Sequence, residues 1–516
     1  MKKLPLGVQT FSKMIHDDLY YVDKTQFIKQ LVDNGTYYFL SRPRRFGKSS
    51  FLDTLKEAFE GNEKLFKGLY LEKNWDWTKK HPVIMISFGG GIMQTPLNVE
   101  NKIKELLHFN QQKLGVTCNL PEPGSCLKEL IIHSTEKYNE RVIILIDEYD
   151  KPILDNIVKK ETALEIREIL KGFYSVIKDS DRYIKFAFIT GVSKFSKVNL
   201  FSGLNNLTDI SLDRRYATIC GYTESELPLF EDRLEGVDRE KLKLWYNGYN
   251  FLGDKVYNPF DILLFFDKGE FKNYWFETGS PSFLIKLIQE NQYNPIQIEH
   301  VELSEQELGA FDVEQIRLET ILFQTGYLTI KEKFTVGAKT FYSLTYPNLE
   351  VKMSFTEVIL NYLSDGNKTN KNLIELHKIL TIPDLPGLKD LFYSFFASIP
   401  HNWYRKNTMA NYEGYYASIF YCYFTALGLD VRAEEPNNNG QVDMTVFIEK
   451  KVYVFEFKVI ELTEKGSALE QIKKKKYYEK HLSPENREIY LVGVEFSKEQ
   501  KNITNYEWEQ LLATGA

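Results

Sequence analysis

Cysteine is scarce: there are four, at 118, 126, 220 and 422, in a chain of 516 residues, and no two form a CxxC pair. That excludes a disulfide framework and a thiolate zinc site, and the thiols read as free in a reducing compartment. The eight histidines make no HExxH or HxH pair, which argues against zinc hydrolysis. There is no GxSxG elbow for serine chemistry. No apolar run approaches the ~18 residues of a membrane span. The opening MKKLPLGVQTFSKM has no apolar core of signal-peptide length. The expectation is a cytoplasmic protein with no membrane partner. Positive charge is not in excess either, with 65 Lys and Arg against 71 Asp and Glu, a net charge of −6. A globally basic nucleic-acid coat is therefore excluded, but a local groove is not. Lysines 473–476 offer such a groove and read equally as a solvated helix face.

What is present is core material: 43% hydrophobic and 14% aromatic residues. The length corresponds to about two to four domains, with no internal repeat or long low-complexity linker. Over the first 215 residues, short apolar runs alternate with amphipathic segments, the pattern of an α/β domain with a parallel sheet. Buried strands are expected at 37–40, 83–87, 142–146 and 185–190, because doubly covered strands read as continuous apolar runs. Residues 216–295 read as a helical lid rich in aromatics. Its clusters around Trp245 and Trp275 belong to a core rather than to a base-stacking platform. In 296–370, a helix at 315–328 followed by the strand-like FYSLTYP and VKMSF predicts a winged-helix-like module. A helical connector, 371–408, precedes a last domain, 409–516. There a helix leads into a two-strand pattern, another helix and a final strand at 488–494.

The segment 42–50 follows an apolar strand and opens an amphipathic helix, the context a phosphate-binding loop requires. Its residues are Arg42, Pro43, Arg44, Arg45, Phe46, Gly47, Lys48, Ser49 and Ser50. Backbone N–H groups at a helix start surround phosphates. Lys48 is placed to meet the β and γ phosphates of ATP, and Ser49 to hold Mg²⁺. Arg42 stands where the GxxxxGK(S/T) pattern has its first glycine. About a hundred residues on, RVIILIDEYD is an apolar strand ending in carboxylates. Asp147 is the expected partner of Mg²⁺, and Glu148 the group that polarises water. Thr190 or Ser193 is the expected polar sensor of the γ-phosphate. Arg214 and Arg215 are candidates for an arginine offered to a neighbouring subunit in a homo-oligomer.

A second constellation lies in QVDMTVFIEKKVYVFEFKV, 441–459. A two-residue turn at Glu449 and Lys450 sets Asp443 opposite Glu456, on one face of the sheet. Lys458, two residues on, shares that face. Paired carboxylates bind Mg²⁺ through oxygen, and a lysine beside them orients water or a phosphodiester. Charged residues inside a nearly unbroken apolar strand need such a reason. Glu413, at the start of the preceding helix, is a candidate third carboxylate. Gln471, Lys474 and Lys475 are candidate nucleic-acid contacts on the following helix.

Taken together, SRPRRFGKSSFL, IDEYDKP, ITGVSKFSKVNLFSGLNNL, CGYTESEL and YYVDKT resemble the bacterial AAA-ATPase-like family. Its members commonly carry a C-terminal domain of the PD-(D/E)XK nuclease superfamily. The resemblance implies that Lys48 and Ser49 belong to a Walker A element, and Asp147 and Glu148 to a Walker B. Asp443, Glu456 and Lys458 match the nuclease signature, with Glu413 and Gln471 at accessory positions. Related nucleases continue as QxxxY. Here the fourth residue after Gln471 is Lys475, and tyrosines follow only at 477 and 478. The implied function is ATP-dependent, Mg²⁺-dependent handling of nucleic acid, DNA ahead of RNA, with defence against foreign DNA as a role. The alternative is an oligomerising nucleotide switch whose C-terminal domain binds nucleic acid without cutting it.

Overall fold

The computed structural model describes residues 2–194, 206–275, 295–309, 317–363, 366–399, 413–437, 440–461, 467–482 and 488–512. Part of the motif ITGVSKFSKVNLFSGLNNL, at 195–205, lies outside them. The chain divides into two compact units, one of residues 1–275 with 301–348, the other of 276–300 with 349–516.

The first unit is built on a parallel sheet of β1 (Tyr37–Ser41), β2 (Val83–Ser87), β3 (Val142–Asp147), β4 (Ile184–Gly191) and the short β5 (Thr208–Asp209), in the order β2-β3-β4-β1-β5. β4 thus lies between the strand that feeds the loop at 42–47 and the strand that ends in carboxylates. All six residues of β3 are buried, which is why its sequence is an unbroken apolar run up to Asp147. Helices cover the sheet: α1 (Lys48–Phe59), α2 (Pro96–Leu114), α3 (Pro123–Tyr138) and α4 (Lys160–Asp179), the last three packing on one another. A small antiparallel pair of β6 (Tyr222–Thr223) and β7 (Val256–Tyr257) and the helix α5 (Pro259–Lys268) follow. Their aromatic core includes Phe230, Tyr246, Phe265 and Tyr274.

The unit closes with β8 (Glu302–Ser304), a helical turn at Glu305–Leu308, α6 (Leu318–Thr325), β9 (Thr329–Val336) and β10 (Lys339–Thr345). The sheet order is β8-β10-β9, with β9 and β10 forming a hairpin one strand earlier in the chain than FYSLTYP and VKMSF would place it. VKMSF is a correction: it is not a strand but part of the helix α7 (Leu349–Leu363), which belongs to the second unit.

In the second unit, α7, α8 (Gly366–Thr381) and α9 (Leu385–Ser398) accompany α10 (Glu413–Ala426). The sheet has five strands rather than the few expected: β11 (Asp430–Asn437), β12 (Gly440–Ile448), β13 (Lys451–Val459), β14 (Glu488–Ser497) and β15 (Asn502–Leu512), in chain order. The final strand is β15, not 488–494. α10 packs on one face, with Phe420 against Phe455 and Phe457. α11 (Ser467–Lys475) covers the other, where Val452, Val454, Leu469, Ile472 and Tyr477 share a core. A Cβ on Gly493 would lie 2.5 Å from the Leu469 backbone nitrogen, so glycine lets α11 approach β14. Among the described residues, no helix is long and apolar enough to cross a membrane.

Candidate functional site

In the first unit, the loop from β1 to α1 turns on Arg45 and Gly47, whose φ angles are +66° and +91°. Lys48, nearly buried, folds back so that its ammonium donates to the carbonyls of Arg42 (2.9 Å) and Pro43 (2.8 Å). Burial lowers its pKa, with Asp147 opposing the shift. Ser49 Oγ donates to Asp147 Oδ2 at 2.6 Å, and Thr190 Oγ1 to Asp147 Oδ1 at 2.7 Å. The structure therefore brings Lys48, Ser49, Asp147 and Thr190 together. Glu148, in the left-handed region at φ +52°, stands beside them. Burial, and then the charge of Asp147, raises its pKa. The loop opens into a cavity of about 350 Å³ whose walls include Arg45, Ser50, Glu148, Val8, Tyr21 and Phe260, a volume that suits a small ligand.

Several other expected loop residues have partners of their own. Arg42 is 1% exposed. Its guanidinium donates to the carbonyls of Ser41, Ser211, Tyr216 and Ala217 at 2.9, 2.7, 3.2 and 3.4 Å. It also lies 3.9 Å over the Phe251 ring. Arg42 thus offers its backbone, not its charge, to the loop. Phe46 is buried edge-on against Tyr249. Pro43 is buried, Arg44 exposed, and Arg45 stacks at 3.9 Å on Phe260. Ser193 is held by Asp150, which accepts both its N–H and its hydroxyl at 2.6 Å. Of the two, Thr190 is the one that reaches Asp147. Arg215 is paired with Asp213 at 2.6 Å, and Arg214 is exposed. Sequence reasoning passed over Asp150, although it belongs to the same carboxylate cluster at the strand end.

In the second unit, Ile448 pairs with Lys451 and Met444 with Phe455, the register that follows from a turn at 449–450. The same register carried one step past Met444 sets Asp443 opposite Glu456, and Asp443 Oδ2 accepts the Phe457 N–H at 2.8 Å. Glu456 is 1% exposed. Its Oε1 receives the ammonium of Lys458 at 3.2 Å and the amide of Gln471. Its Oε2 is buried with no hydrogen-bond partner among the described residues. Burial pushes the Glu456 carboxyl up to about 8, Asp443 adds to the shift and Lys458 opposes it. A buried carboxylate oxygen left without a donor, next to a second carboxylate, fits a divalent cation held through oxygen. No cluster of three or more metal-binding side chains occurs among the described residues. Glu413 begins α10, and its side chain lies outside them.

α11 ends at Lys475, and Lys476 turns the chain with φ +52°. That turn carries Tyr477, 2% exposed, to the side of Gln471. Tyr477 thus follows Gln471 by six residues, around a helix end, where the QxxxY pattern has its tyrosine at four. Glu495 was also missed. Buried in β14, it accepts the Ala468 N–H at 3.2 Å and the Asn505 amide at 3.1 Å, anchoring the start of α11. Its signal, a charge inside an apolar strand, was the same one that marked Glu456. Lys474 and Lys475 are exposed and make no ion pair among the described residues, whereas Lys473 pairs with Glu509.

Residues 5–201 match the family model described as "Predicted AAA-ATPase". Residues 411–506 match that of the PD-(D/E)XK nuclease superfamily. Over 513 residues the chain is 52% identical to an Azotobacter chroococcum mcd 1 protein described as "Uncharacterized protein in vnfD 5'region", covering 99% of each. No solved structure matches.

Proposed function

Because this chain belongs to the predicted AAA-ATPase family that carries a C-terminal PD-(D/E)XK nuclease superfamily domain, we propose that ATP bound at residues 42–49 controls a divalent-metal-dependent phosphodiesterase built on Asp443, Glu456 and Lys458. The observation that carries the nuclease reading is the buried Oε2 of Glu456, which lies beside Asp443 and has no hydrogen-bond partner among the described residues.

At the nucleotide site, Lys48 turns from the loop carbonyls to the β and γ phosphates. Ser49 and Asp147, already 2.6 Å apart, are the groups to hold Mg²⁺. Thr190 fixes the Asp147 carboxylate, and Glu148, its pKa raised, is suited to polarise the attacking water. In the second unit, Asp443 and Glu456 Oε2 would hold the cation. A divalent ion there supplies activation of water and stabilisation of charge on the phosphodiester. Lys458 orients the water or the scissile phosphate. Gln471, with Tyr477 at its side, fixes the other oxygen of Glu456. The exposed Lys474 and Lys475 are the contacts for a nucleic-acid backbone, DNA ahead of RNA.

The test is cleavage of a panel of DNA and RNA, single- and double-stranded, with Mg²⁺ or Mn²⁺, with and without ATP. Cutting is expected from the unaltered chain, at a rate that ATP changes about tenfold or more. Lys458→Ala should abolish cutting and keep ATP binding; Lys48→Ala should lose ATP binding and the ATP response. Cutting that persists in Lys458→Ala sinks the assignment. ATP turnover with no cutting of any substrate favours a nucleotide switch instead.

A further inference from the structure

The helix α6 is nearly all buried: Leu318, Thr320, Ile321, Leu322, Phe323 and Gln324. Among the described residues it keeps only Glu319 and Thr325 partly exposed, little face to enter a nucleic-acid groove, the use such a helix has in DNA-reading modules. What it touches instead is the nucleotide machinery of its own unit.

Two contacts make the connection. Gln324 Oε1 accepts the backbone N–H of Lys194 at 3.0 Å, just past β4, and its Nε2 donates to the Leu308 carbonyl at 3.5 Å. The segment leading to Lys194 carries Thr190, bonded to Asp147, and the Val192 and Ser193 amides, bonded to Asp150. Its end is therefore held by Asp150 on one side and Gln324 on the other. The second contact is at Gly326, which caps α6 with φ +93°. A Cβ there would lie 2.8 Å from Pro43 Cβ and 2.7 Å from Trp275 Cη2. Pro43 is one of the two residues whose carbonyls hold the Lys48 ammonium. An ammonium that turns to phosphates gives up these carbonyls, and a shift of Pro43 toward Gly326 would meet the end of α6. An aromatic path runs alongside, from Phe46 to Tyr249, Trp275 and Tyr327, with centroids 4.7, 5.8 and 6.3 Å apart.

We propose that Gln324 is a positioning residue of the nucleotide site, and that through Gln324 and Gly326 the winged-helix-like module responds to bound nucleotide. This rests on the ATP reading above. The module is then a nucleotide-sensing element rather than a groove reader.

Backbone hydrogen exchange on the full chain, with and without ATP and Mg²⁺, tests it. ATP is expected to slow exchange across 318–330 about tenfold in the unaltered chain and to leave Lys48→Ala unchanged. Gln324→Met, close in size, should keep ATP binding within about threefold, lose that protection, and lower kcat about tenfold with little change in KM. Gln324→Glu keeps the acceptor for Lys194 and should retain most of both. If Gln324→Met does not fold, the unaltered chain and Gln324→Glu decide. ATP binding with no change across 318–330 overturns the inference alone, as does unaltered turnover in a folded Gln324→Met. A chain that binds no ATP overturns the nucleotide site and this inference with it.

Discussion

Glu456 is a carboxylate inside a sheet face, and its surroundings set a pH dependence that can be worked out. Its pKa is up to about 8 in the folded chain, against an ordinary 4.5. Between those values the folded chain holds a proton that the unfolded chain has lost. Stability therefore falls as pH rises from about 4.5 to about 8, and levels off above. With divalent ions chelated, urea unfolding should show the midpoint falling between pH 5 and pH 8.5. Glu456→Gln should flatten that slope and leave the protein more stable at pH 8.5, by on the order of 2 kcal/mol. An unchanged slope in the variant would show that the charge on Glu456 carries no such cost. The position of Glu456 was legible because a two-residue turn leaves one register, and the turn residue Glu449 indeed takes φ +51°. The role of Arg42 was not legible. Three of its four carbonyl acceptors come from residues 211–217, about 170 positions away in the chain, and no local pattern records such a partner.

At the scale of elements, the apolar strands of the parallel sheet were legible and the polar edge strands of the second sheet were not. β1 to β4 are continuous apolar runs, and they lie where such runs fall. β11 carries several charges and Pro436, and β15 mixes polar with apolar residues. Each lies at an edge of its sheet, where burial imposes little pattern. VKMSF alternates over five residues like a strand, yet Val351, Phe355 and Ile359 are buried at the four-residue spacing of a helix face. The longer window held the answer. The end of α11 was equally hidden, because a lysine gives no sign of a left-handed turn. That turn provides a direct check. Lys476 at φ +52° bears a cost that glycine does not, and its exposed pair with Glu479 contributes little. Lys476→Gly should raise stability by roughly 0.5–1 kcal/mol by thermal unfolding, with Tyr477 still against Gln471. A lower melting temperature would mean that the lysine side chain, not its backbone, matters at the helix end.

For the whole molecule, the motifs alone set a boundary near residue 409, at the start of the nuclease-like pattern, but the packing of the second unit reaches further back. α10 is covered by residues before that boundary: Phe392 stacks on Phe420 at 3.6 Å, and Phe395 meets Tyr423 at 5.0 Å. Phe396 packs on Phe496 of β14. Tyr453 donates to the Leu380 carbonyl at 2.8 Å, and Asn502 to that of Tyr393 at 3.1 Å. Further back still, Glu299 accepts from Tyr421 and pairs with Lys352. Cutting at 409 would expose several aromatic side chains, each contributing about 1.5–3 kcal/mol by burial, and would strand buried hydroxyl and amide groups. A domain of marginal net stability cannot absorb that loss. Residues 409–516 produced alone are therefore expected to lack a cooperative urea transition by circular dichroism, whereas 276–516, which contains every partner named here, should show one. A cooperative transition in the short fragment would mean that α8 and α9 are accessories to the nuclease-like sheet. Its absence would mean that any assay of the Glu456 site needs the chain from 276 onward.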